Sequence, residues 1–188
     1  MKNLKSIALA LVVVLSTVSV SAQTKKVDAS ASTINWVGKK VTGQHEGTVN
    51  IKDGALVFKG AKLVGGTFTV DMNSLTATDL KGEYLGKLNG HLKSEDFFGT
   101  EKFSTSTLDF KTITAKAKGV YAVTADLTIK GKTSPVAFDL AVTGNTAATK
   151  FNVDRTKYDI KYGSGSFFDN LGDKAISDEF ELAVALKF

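Results

Sequence analysis

Phe180-Glu181-Leu182-Ala183-Val184-Ala185-Leu186-Lys187-Phe188 closes the chain, and its rhythm decides the fold. Phe180, Leu182, Val184, Leu186 and Phe188 fall on one face, whereas Glu179, Glu181 and Lys187 fall on the other. A period of two is that of a strand with one apolar side, and a slip of one residue would invert every side chain. The same rhythm runs through Val136, Phe138, Leu140 and Val142, and through Val123, Ala125, Leu127 and Ile129. Lys130-Gly131-Lys132-Thr133 between those runs reads as a hairpin turn. Further strands are expected near residues 32–42, 45–52, 55–59, 62–72, 103–113 and 147–155. About eight or nine short strands in an all-β chain point to an antiparallel barrel or sandwich. Pro135, the sole proline, stands at the start of a strand, where its missing N–H does least harm.

One segment breaks the period. Leu80, Tyr84, Leu88 and Leu92 recur every fourth residue, which predicts a short helix with one apolar stripe. Gly82, Gly86 and Gly90 recur at the same interval, and each costs about 1 kcal/mol relative to alanine in a helix interior. Such a helix needs tertiary support. It reads either as a lid, its leucine stripe over an apolar opening and its glycines admitting close backbone contact, or as a surface helix capping a filled core.

The amino terminus carries Lys2 and Lys5, an apolar run from Ile7 to Leu15, and Val20-Ser21-Ala22, the pattern of a cleavable signal peptide over residues 1–22. The apolar run is too short for a confident membrane span. Residues 23–188 are then a single domain, leaving 166 of the 188 residues, and the location is expected to be periplasmic or secreted. The formal charge of +5 includes both signal-peptide lysines, and lysine is dispersed rather than clustered, so no nucleic-acid partner is expected. Zero cysteine excludes disulfides, thiol catalysis, cysteine-ligated metals and a lipid anchor on a cysteine after the signal peptide.

No catalytic constellation emerges. His45 and His91 are far apart and lack ligand partners at metal-binding spacing, so no metal site is expected; His91, beside the helix stripe, is a candidate for a ligand head group. Gly131-Lys132-Thr133 resembles the end of a phosphate loop, but Asp126 stands where the leading glycine belongs. Gly163-Ser164-Gly165-Ser166 is not a nucleophile elbow and reads as a flexible turn. Glu95-Asp96 and Asp178-Glu179 are adjacent acids beside turns and read as solvated charges. What remains is apolar surface escorted by Arg155, Tyr158 and Tyr162, the composition of a lipid site more than of a sugar or nucleotide site.

Alternation alone leaves open whether the apolar faces look into the barrel or out into lipid. The length and the terminal Phe188 suit a small outer-membrane barrel; the helix over Leu80 to Leu92, and only four tyrosines and one tryptophan for two aromatic girdles, speak against it. Strand number leaves equally open whether the interior fills itself, as in a structural or interaction module, or holds a ligand.

Several stretches, in order and spacing, resemble the YceI-like family: Ser32-Thr33-Ile34-Asn35-Trp36, Gly66-Thr67-Phe68-Thr69-Val70-Asp71 and His91-Leu92-Lys93-Ser94-Glu95-Asp96-Phe97-Phe98. Leu127-Thr128-Ile129-Lys130-Gly131 with Pro135-Val136 is the most distinctive, and Asp154-Arg155-Thr156-Lys157-Tyr158 and Ile176-Ser177-Asp178-Glu179-Phe180 complete the pattern. The chain departs from it at Phe103-Ser104, where the family often has proline. The resemblance covers nearly all of residues 23–188. It implies an extended, antiparallel, eight-stranded lipocalin-like β-barrel with a short helical insertion and an apolar tunnel for a polyisoprenoid, an isoprenoid quinone or a fatty-acyl chain. It implies binding without catalysis and without a further cofactor. Phe68, Val70, Leu127 and Ile129, with Phe138, Leu140, Leu182 and Val184, are expected in the tunnel wall. Leu80, Tyr84 and Leu88 are expected in the lid, Phe97 and Phe98 at the mouth, and His91 and Arg155 near the head group. No stable membrane insertion is expected, and a homodimer stays open.

Overall fold

The computed structural model describes residues 21–188, so the signal-peptide reading lies outside the described residues except for Ser21 and Ala22. A short strand β1 (Ala22–Lys26) precedes β2 (Thr33–Lys40), β3 (Gly43–Lys59) and β4 (Lys62–Ala77). Helix α1 (Gly82–Lys93) follows, then β5 (Thr105–Ala117), β6 (Val120–Ile129), β7 (Lys132–Thr143), β8 (Thr146–Asp154) and β9 (Ile176–Lys187). The strands run in the order β3-β2-β9-β8-β7-β6-β5-β4, and β4 pairs back onto β3. Eight antiparallel strands therefore close into a barrel with no free edge between them. β1 lies outside that ring, paired with Ala55 to Lys59 of β3 beyond the reach of β2.

The alternation read from the sequence is the alternation of burial. Along β6, Tyr121, Val123, Ala125, Leu127 and Ile129 are buried and their neighbours are half-exposed. The strands expected at 45–52 and 55–59 are one continuous β3, passing Asp53 and Gly54 through a register shift against β4. Gly54 does not turn the chain; a Cβ there would lie 2.6 Å from the Phe68 ring, so the glycine makes room for an aromatic side chain. Gly47 does the same for Trp36 and for the Thr76 carbonyl, 2.5 and 2.0 Å from where its Cβ would sit.

The apolar faces point inward, which resolves the orientation that periodicity left open. The outer face carries cross-strand polar pairs: Lys111 with Asp126 at 3.1 Å, Lys116 with Asp139 at 2.8 Å and Lys150 with Glu181 at 2.9 Å. Thr67 donates to Asp109 at 2.6 Å on the same side. A lysine at the bilayer midplane costs a transmembrane barrel about 2–4 kcal/mol, so this outer surface is built for water.

Helix α1 is present, but its packed face differs from the expected one. Leu85, Leu88 and Leu92 lie against the core, whereas Leu80 precedes the helix and Tyr84 is 73% exposed. A strict four-residue interval drifts about 40° per step around a helix with 3.6 residues per turn, so Tyr84 leaves the face that Leu92 shares with Leu85 and Leu88. The glycine stripe admits no close approach either: a Cβ at Gly82, Gly86 or Gly90 would meet nothing within 4 Å. Polar bonds add to the leucine packing in holding the helix to β4. Asn89 accepts from the Ala77 amide and donates to Thr76 Oγ1, both at 2.9 Å, and Lys93 donates to the Asn73 carbonyl at 2.7 Å.

Candidate functional site

Inside the barrel the inward side chains do not meet across the axis. They leave a cavity of about 180 Å³ whose wall is almost wholly apolar. Apolar cavities of about 150 Å³ stay dry and take up small hydrophobic molecules, so this one is large enough to be a binding site. Phe68, Phe110, Phe138 and Phe151 form a chain of rings along its wall, with centroids 5.7, 5.9 and 4.7 Å apart in turn. Offset and edge contacts of this kind fix ring orientation and so the shape of the wall. Val70, Leu108, Leu182 and Val184 are only half-buried although they point inward, because the surface they present faces the void.

Polar groups in the wall are few. Ser106 Oγ donates to the Thr128 carbonyl at 2.7 Å and is satisfied. Thr149 Oγ1 is buried with no hydrogen-bond partner among the described residues. At one end Arg155 is buried and donates to three carbonyls: Nε to Ser177 at 2.9 Å, Nη1 to Ile160 at 2.8 Å and Nη2 to Ile176 at 3.0 Å. Asp178 Oδ1 lies 3.6 Å from Nη2. Burial lowers the Arg155 pKa, against the opposing pull of Asp178 and Asp154. The side chain thus clamps the end of β8 to the start of β9. Tyr158 beside it is fully buried, and burial pushes its hydroxyl up to about 12, so it stays neutral at physiological pH.

The cavity reaches the surface where β2 and β9 part. Gly38 pairs with Phe180 and Lys40 with Ile176, so Lys39 alone faces Ser177, Asp178 and Glu179. Lys39, Ser177 and Glu179 border the cavity and are exposed. Gly38 also borders it, and a Cβ there would meet nothing within 4 Å. Phe98 meets Phe180 edge to face at 6.2 Å behind this gap.

Phe68, Val70, Leu127, Ile129, Phe138, Leu140, Leu182 and Val184 all stand in the cavity wall, with Phe97, Phe98 and Arg155. Leu80, Tyr84, Leu88 and His91 do not; of the helix only Leu92 reaches the cavity, and α1 packs against β4. His91 is taken up by a surface cluster, its ring 4.9 Å from Phe97 and 4.6 Å from Tyr162, with Nε2 3.5 Å from Asp96. His45 pairs with Asp79 at 2.8 Å; burial raises that carboxyl, but the His45 hydrogen bond and charge together with the backbone amides of Asp79 and Glu46 outweigh it and hold it below its ordinary value. The sequence reading missed Trp36, Ile51, Leu108, Phe110, Phe151 and Phe180 as wall residues. Each is in phase with a neighbour on the same strand, so extending the alternation to every strand would have found them.

Fold and site together define an eight-stranded antiparallel barrel built around an apolar internal cavity. Residues 26–188 match the YceI-like domain, and the chain belongs to that family. A UPF0312 protein of Staphylococcus aureus is 43% identical over 56 residues, a stretch that spans 30% of this chain and 30% of that relative's length. The crystal structure of BcnA from Burkholderia cenocepacia superposes with a TM-score of 0.62 at 22% identity, covering 85% of this chain and 98% of that one. A polyisoprenoid binding domain from Saccharophagus degradans, implicated in plant cell wall breakdown, superposes with a TM-score of 0.56 at 16% identity over 86% of this chain and 95% of its own. At those identities the structures share the fold.

Proposed function

We propose that the barrel binds one amphiphilic lipid, its isoprenoid or fatty-acyl chain in the cavity, and carries it without altering it. The observation that carries this reading is the apolar void itself, walled by inward side chains that remain half-exposed to it. Enclosing each methylene contributes about 0.8 kcal/mol, so a long chain is held firmly without exact polar contacts. Family membership and the fold shared with a polyisoprenoid binding domain support the class of ligand. Binding of this kind needs no cofactor. The signal-like residues 1–22 favour the periplasm or the medium as the place of action, and fractionation of cells expressing the full chain tests that.

The decisive experiment is mass spectrometry of organic extracts from protein purified without detergent, with titration of a fluorescent fatty-acid probe into delipidated protein. Recovery of a long-chain lipid near one per barrel, displaced by the probe, is expected. Recovery of none, with no saturable probe binding, would overturn the reading in favour of a barrel that acts through its surface.

A further inference from the structure

Beside the gap between β2 and β9 lies the second part of the connection from β8 to β9, residues 159–175, and it leaves Phe167 and Phe168 outward, with Tyr162 packed on one side against His91 and Phe97. Tyr162, Phe167 and Phe168 are 47, 50 and 52% exposed. This exposure is built in. Ser164 is fully buried and its carbonyl accepts from the amides of both Phe167 and Phe168, at 3.2 and 3.0 Å. Ser166 donates to Asp178 Oδ2 at 2.5 Å, and the Ile176 amide donates to the Gly163 carbonyl at 2.8 Å. The segment read as a flexible turn is thus stitched to the start of β9, next to Ser177 and Glu179 at the rim of the cavity. Val41, 67% exposed in the β2–β3 turn, joins the same surface through the hydrogen bond its backbone N–H donates to the Ala175 carbonyl at 3.2 Å.

We propose that this aromatic loop seats the barrel on the surface of a lipid bilayer, with Phe167 and Phe168 inserted and the gap between β2 and β9 turned toward the membrane. The proposal rests on the lipid-binding reading above and names the surface from which the ligand is drawn. A chain that gains about 0.8 kcal/mol per methylene on leaving water does not cross water readily on its own, so its transfer is quickest where the opening meets lipid. A protein partner or a second copy fits the patch poorly: three half-exposed aromatic side chains offer roughly 300 Å², against about 800 Å² per partner in a stable interface. Charge selects the kind of membrane. Lys157, Lys161 and Lys174 in and beside the loop are balanced by Asp159, Asp169 and Asp173, so docking is apolar and indifferent to lipid charge.

Flotation with phosphatidylcholine vesicles tests this. The wild-type protein is expected to float, equally at low and high salt and without gain from anionic lipid, and the Phe167→Ser/Phe168→Ser double variant to partition about tenfold or more weaker. A wild-type protein that stays behind, or a double variant that floats as well, would overturn the proposal. A second arm follows a fluorescent fatty-acid probe offered either dispersed from ethanol or already in vesicles. The double variant is expected to bind the dispersed probe normally and to take up the vesicle probe slowly. Gly38→Leu, which fills open space at the gap, is expected to float like wild type yet load slowly from both sources; normal loading places the passage elsewhere and overturns the assignment of the gap. If no variant and no wild-type protein binds the dispersed probe, the carrier reading fails, while flotation still decides docking.

Discussion

The two ends of the barrel are made from the same alternating strands and end up in opposite states. At the end closed by the β3–β4 hairpin, Leu56 and Leu63 are fully buried, and the Tyr121 hydroxyl sits between the Leu63 amide and the Ala61 carbonyl, at 3.4 and 3.3 Å. Phe58 and Phe188 stack there at 5.7 Å beneath Lys25, whose Nζ is 5.2 Å from each ring. Toward the other end Leu182 and Val184 face a void, and the wall opens beside Lys39. Pattern decides which face is inward, whereas side-chain volume and the path of the connections decide whether the inside is filled. One end is packed protein and the other is cavity wall.

Substitutions at matched leucines should break this comparison most sharply. Leu56→Ala at the packed end is expected to lower unfolding free energy by about 2–5 kcal/mol. Leu182→Ala, which forfeits contacts on one side only, is expected to cost about 1 kcal/mol; equal losses in urea denaturation would show that the two ends are packed alike. Val184→Phe is expected to fill the void, weakening binding of the fatty-acid probe about tenfold, or about 1.4 kcal/mol, with stability changed by under about 1.5 kcal/mol.

A pH titration sharpens the open end further. Burial raises the Asp178 carboxyl, but the Ser164 and Ser166 hydroxyls and the Arg155 charge outweigh it and hold it below the ordinary 3.8. The folded state therefore favours the carboxylate, and this contribution is complete above pH 3.8 and lost as the pH falls below it. Asp178→Asn is expected to flatten that acid limb of the urea midpoint; an unchanged limb would remove Asp178 from the account. An effect of opposite sign is expected of Thr149→Val, which removes an unpartnered hydroxyl from the wall and should raise stability by about 1 kcal/mol in the same assay.

Strands were the most legible part of the sequence, because a barrel buries one face of each and so imposes a period of two. β6, β7 and β9 carry that period almost without exception. The helix was legible in existence but not in phase, since an interval of four residues approximates the true repeat for only a turn or two. The site was legible where its wall shared the strongest alternating runs, as at Leu127 or Phe138. It was missed where the alternation was not followed along every strand, as at Phe110 and Phe151, or where a backbone carbonyl rather than a side chain orders a loop, as at Ser164.

Trp36 is the only tryptophan in the chain, and the fold sets it in the cavity wall with its indole N–H directed to the Thr48 carbonyl at 3.3 Å. Its emission therefore reads the polarity of that interior and of nothing else in the protein. Arrival or departure of an occupant can be timed in the unlabelled molecule by light alone, which makes the barrel its own indicator.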